Sequence, residues 1–216
     1  KVIFLLSGRQ DSSIYHLIKA GLDRIGYDTG LFVLPDLSDL AAIENLQAQA
    51  DHSGSFWLVA SGSGALQAWR AAGMIDELDG LFLISPQNLR QMTQNEPADW
   101  PPGWSTVIQT AEYSHQAFGS RDFFEWLSGE DADLFPGHRA GFALPLQYAA
   151  SNGRTWLFIY PYLQPEMAMF SLSALPDAIG WFEDQSNART GTSQALPETV
   201  AGQMIKALIS LVLAGL

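Results

Sequence analysis

The sequence predicts an α/β fold: a mostly parallel sheet of about six to seven strands with helices on both faces. Three observations predict it. Short apolar runs of strand length recur at residues 2–6, 30–35, 56–60, 81–84 and 106–110. Stretches with helical spacing or propensity lie between them, and strands separated by helices pair in parallel. A chain of 216 residues that is 47% hydrophobic and 12% aromatic can bury a substantial core in one domain and has no signature of disorder.

The elements follow in order. The first run, 2–6, leads through the polar loop Ser7-Gly8-Arg9-Gln10-Asp11-Ser12-Ser13 into 14–22, whose apolar spacing suits a helix. A second strand at 30–35 precedes 39–49, a helix by propensity, and then the third strand at 56–60. Ser61-Gly62-Ser63-Gly64 breaks that strand and opens a helix at 64–72, which ends near Gly73. The fourth strand, 81–84, is closed by Ser85-Pro86, and the fifth lies at 106–110. Between those two strands, 87–104 is rich in Pro, Gln and Trp and reads as a loop or short cap-like insertion in a single domain spanning 1–216. Beyond the fifth strand the pattern predicts a helix at 121–127, a short strand at 132–135 and a helix at 141–150 shortened or kinked by Pro145. A strand at 156–160 and a final helix at 199–213 complete the chain, with 163–198 polar, patternless and expected as surface loops. No internal repeat or domain boundary is visible.

Charge and composition exclude several function classes. With 23 acidic and 11 basic residues the net charge is -12, which opposes binding to nucleic acid or to an anionic membrane surface. No cysteine is present, so disulfides, thiolate metal sites and a cysteine nucleophile are excluded together. The four histidines, His16, His52, His115 and His138, show no H-x-x-x-H spacing; any metal would be held by carboxylates, and no cofactor is expected. The apolar run 204–216 is 13 residues long and contains Lys206 and Ser210, too short for a membrane span and suited to a buried helix. The chain starts without Met in an apolar strand, so upstream sequence is expected to have been processed or omitted, compatible with a periplasmic or secreted location. Oligomeric state is left open by the sequence.

The segment Phe56-Trp57-Leu58-Val59-Ala60-Ser61-Gly62-Ser63-Gly64-Ala65 carries the clearest chemical signal. A serine in a sharp strand-to-helix turn is exposed at the end of a sheet, and the tight backbone tolerates only small neighbours two residues away. Ser63 has Ser61 and Ala65 at those positions, so it is the candidate nucleophile; a plain Gly-Ser turn or a phosphate-holding loop fits the same residues. Backbone N–H groups of Gly64 and of Arg9 or Gln10, after the first strand, are the candidate oxyanion donors. A serine hydroxyl needs a base, and His138, in Phe135-Pro136-Gly137-His138-Arg139, is the candidate, with His115 as rival and a surface loop histidine as the plainer alternative. Glu112, directly after the fifth strand, is the candidate acid; Asp122, Asp131 and Asp133 are alternatives. Trp57, Trp100, Trp104, Phe118, Phe123 and Trp126 are candidates for an acyl pocket, though such aromatics more often form core.

On these residues the chain resembles a small, divergent member of the α/β-hydrolase superfamily, over residues 2 to about 150. The resemblance rests on Leu6-Ser7-Gly8-Arg9-Gln10 as oxyanion loop, Ser61-Gly62-Ser63-Gly64-Ala65 as nucleophile elbow, Pro136-Gly137-His138 as histidine loop, and the order Ser63, Glu112, His138. It implies a serine hydrolase that cleaves a carboxylic ester or related acyl bond of a small molecule through an acyl-enzyme on Ser63. The departures are specific: no glycine at position 61, no clear Gly-x-x-Asp after the fifth strand, no His-Gly pair in the first loop, and an extra strand-like segment late in the chain. They define the alternative, a hydrolase-like scaffold that has lost catalysis and serves binding or assembly. If 156–160 is the last sheet strand, no histidine follows it and the triad fails. Dinucleotide binding is disfavoured, since Ser-Gly-Ser-Gly-Ala-Leu lacks the Gly-x-Gly-x-x-Gly pattern.

Overall fold

The structure is a computed structural model that describes residues 1–7, 15–34, 44–46, 48, 56–75, 78–94, 103–111, 115–130, 146–160 and 174–190. In chain order these residues form β1 (Val2–Ser7), α1 (His16–Arg24), β2 (Thr29–Leu34), β3 (Phe56–Ser61), α2 (Gly64–Ala72), β4 (Leu78–Ile84), α3 (Leu89–Gln94), β5 (Ser105–Ala111), α4 (His115–Ser128), β6 (Leu146–Ala149), β7 (Thr155–Tyr160) and α5 (Ala174–Thr190). The seven strands form one sheet in the order β2-β1-β3-β4-β5-β7-β6. All neighbouring pairs are parallel except β6 with β7. The α/β fold predicted from the sequence is the fold observed.

Both faces of the central strands are covered, which is why those strands read as unbroken apolar runs rather than as alternating ones. Every residue of β3 is buried. Phe56, Leu58 and Ala60 turn to one face, where they pack with Trp69 of α2, Leu89 and Met92 of α3, and Phe123, Phe124 and Leu127 of α4. Trp57 and Val59 turn to the other, with Ile18 and Leu22 of α1 and Ala178, Trp181 and Phe182 of α5. On that second face Trp57 meets Trp181 edge to face, with ring centroids 4.9 Å apart. Gly80 of β4 makes room for this cluster, because a Cβ there would strike the Trp57 ring and the Ser105 carbonyl.

Two expectations are corrected. Residues 141–150 were expected as a helix, but 146–149 form β6. Pro145 lacks the N–H a helix needs, and Asn152-Gly153, with Gly153 at φ +65°, turns the chain into a hairpin with β7. The stretch 163–198 was expected as loops, yet it contains α5, which buries Ala174, Ala178, Trp181 and Phe182 at helical spacing. The insertion 87–104 contains α3. Of the expected helix at 39–49, residues 44–46 and 48 are helical. The short strand at 132–135 and the final helix at 199–213 lie outside the described residues.

Candidate functional site

In a sheet of this order the switch point falls between β1 and β3, whose connections leave in opposite directions, and ligands of open α/β sheets gather there at the carboxyl ends of the strands. Gly62 and Ser63 follow β3 at that edge. A single tyrosine ties the switch point together. The Ser61 N–H donates to Tyr15 Oη at 2.9 Å, and the Tyr15 hydroxyl lies 3.1 Å from the Leu5 carbonyl and 3.2 Å from Ser61 Oγ. Burial pushes the Tyr15 hydroxyl up to about 12, so it stays neutral and able to donate.

The turn after β3 differs from the expected one by one residue. The left-handed conformation belongs to Gly62, at φ +53°, while Ser63 has ordinary right-handed helical angles, φ −69° and ψ −23°, at the N-cap of α2. Its side chain is exposed and makes no capping hydrogen bond to the helix. A nucleophile elbow presents its side chain from the strained residue of the turn, and here that residue has no side chain. Ala60 and Gly64, both buried, stand two residues either side of Gly62, so the small flanking pair frames the glycine. The small-residue spacing read about Ser63 therefore holds equally about Gly62.

The next turn along the edge is strained as well. Ser85, at φ +44°, is buried at the end of β4, and Asn88, at φ +62°, precedes α3. Three backbone hydrogen bonds stitch these turns together: Gly62 N–H to the Ile84 carbonyl at 3.0 Å, Gln87 N–H to the Gly62 carbonyl at 2.9 Å, and Ser85 N–H to the Gln109 carbonyl at 2.6 Å. Ser85-Pro86 closes the strand as its sequence predicts, but nothing in residue type reveals a left-handed serine.

A polar cluster that the sequence did not disclose lies at the carboxyl end of β5 and β7, on the α5 face. Gln109 Nε2 donates to the Ala174 carbonyl at 2.7 Å, and the Tyr160 hydroxyl donates to Asp177 Oδ2 at 3.1 Å. Burial raises the Asp177 carboxyl above its ordinary range against the opposing Tyr160 hydrogen bond. Burial, and then the nearby Asp177 charge, raise Tyr160 as well.

Of the sequence-predicted site residues, Ser63 and Gly64 are described and adjacent, Gly64 opening α2. Arg9, Gln10, Glu112 and His138 lie outside the described residues. The strand that pairs in parallel beside β5 is β7, and no histidine follows it in the chain. His115 opens α4 rather than sitting on a loop, His16 is exposed on α1, and Asp122 is exposed on α4. The expected acyl-pocket aromatics divide between faces, Trp57 on one side of the sheet and Phe123 on the other, so these two are core and cannot line one pocket. Among the described residues no cluster of His, Asp and Glu could hold a metal ion, and no helix is long and apolar enough to cross a membrane.

No family model matches the chain, and no curated protein sequence matches it. Among solved structures, an esterase of Pyrococcus furiosus is similar, at 11% identity and a TM-score of 0.47, over 88% of this chain and 79% of that one. Likeness at that level carries no functional inference.

Proposed function

We propose that the chain is a hydrolase-like α/β scaffold that works as a binding or assembly module at the carboxyl edge of its sheet, without an acyl-enzyme. The observation that supports this most is the left-handed glycine at the apex of the turn after β3, where an elbow would carry its nucleophile. The absence of any histidine in the sequence after β7 points the same way. A small molecule with an acyl group remains the ligand class that fits the resemblance.

One observation favours a second reading. Ser63 is exposed at the N-terminus of α2, where the first backbone N–H groups have no intrahelical acceptor. On that reading the chain is a serine hydrolase of esters, with Ser63 as nucleophile, His138 as base, Glu112 as acid, and Gly64 with Arg9 or Gln10 as oxyanion donors.

Turnover of short p-nitrophenyl esters by wild type and Ser63→Ala separates the two. The binding reading expects equal, background turnover from both proteins, while short-chain acyl compounds raise Tm saturably in both. Turnover that Ser63→Ala abolishes in a folded protein would replace it with the hydrolase.

A further inference from the structure

Below the carboxyl edge, two hydroxyls are sealed in the layer between β5 and α4. Thr110, second from the end of β5, is 0% exposed, and strand alternation puts it on the face of Ile108, which packs with α4. Ser120 is also 0% exposed and heads the stripe Ser120, Phe123, Phe124 and Leu127, whose helical spacing turns α4 onto the sheet. Since β5 ends and α4 begins at the same edge, both hydroxyls stand at that end of one layer. Neither Thr110 Oγ1 nor Ser120 Oγ has a hydrogen-bond partner among the described residues. Ser120 does not even make the common bond to the carbonyl one helical turn back.

Buried hydroxyls are nearly always paired, with protein or with ordered water, because an unmade bond costs the full desolvation of the group. Each of these offers one donor and two acceptor positions and no charge. A small neutral molecule that both donates and accepts satisfies both groups. We propose that Thr110 and Ser120 form an internal binding site for one water molecule that bridges β5 to the N-terminal half of α4. The site is independent of which function the carboxyl edge performs.

Equilibrium urea unfolding of wild type, Ser120→Ala, Thr110→Val and the double variant tests it. Either single change strands the other hydroxyl, so each raises the unfolding constant about five- to thirtyfold. Removing both hydroxyls leaves nothing unsatisfied, so the double variant falls well short of the product of the singles. Singles that leave the unfolding constant unchanged or lower it, or a double equal to their product, would overturn the proposal. A high-resolution crystal structure of the wild-type chain decides the matter even if a variant does not fold. Density bridging the two oxygens supports the site, and close apolar packing between them refutes it.

Discussion

Tyr15 ties β1 to β3, since its ring packs on Phe4 and its one hydroxyl serves both Leu5 of β1 and Ser61 of β3. Tyr15→Phe keeps the ring and leaves the buried Ser61 N–H without that acceptor, so it should cost about 1–3 kcal/mol. A lower urea midpoint at unchanged slope is the expected readout. Gly62 makes a matching prediction from its backbone. At φ +53° any side chain is strained, and Gly62→Ala should cost about 1–2 kcal/mol, whereas Ser63→Ala, at ordinary helical angles, should change stability by less than about 1 kcal/mol. Comparing the two midpoints checks which residue forms the apex. Sequence pattern found the turn but not its register, because Ser61-Gly62-Ser63-Gly64 satisfies small-residue spacing about either centre.

Helix α5 is joined to its neighbours by hydrogen bonds from Gln109 to the Ala174 carbonyl, from Tyr27 to the Phe182 carbonyl and from Tyr160 to Asp177. Asp177 accepts from Tyr160 while half-buried, and its raised carboxyl means that the folded state holds the proton more tightly than the unfolded chain does. Its contribution is therefore fully present below the ordinary value of 3.8 and is lost as pH rises through the folded value. Asp177→Asn keeps an acceptor for Tyr160 and removes the buried charge. It should melt higher than wild type near pH 7, with the difference shrinking toward about pH 4, as thermal melts across that range would show. On β4, Gly80→Ala forces a methyl against the Trp57 ring and a backbone carbonyl, and should cost about 1–3 kcal/mol by chemical denaturation. The five parallel strands before β6 and the helices α1, α2 and α4 were legible because each is a run or stripe of one period. Helix α5 was not, since Gly180, Glu183 and Asp184 interrupt the apolar positions that Trp181 and Phe182 supply. Strand β6 was not, because four residues are too few to show a period, although Asn152-Gly153 is a hairpin signal in its own right.

At the scale of the whole molecule, topology decides what the site can be. The sheet order places the β3 turn beside the switch point, and β7 occupies the position next to β5, followed by chain without a histidine. Composition and pattern announced the layered fold, because it depends on sums over many residues. The site depends on one dihedral angle, which no sum reveals. The central claim is that the strained position of this edge carries a glycine and that Ser63 is not an activated nucleophile. Incubation of the folded chain with a fluorophosphonate probe, followed by mass spectrometry, tests it most directly. The account predicts no adduct on Ser63, while stoichiometric labelling that Ser63→Ala abolishes would contradict it.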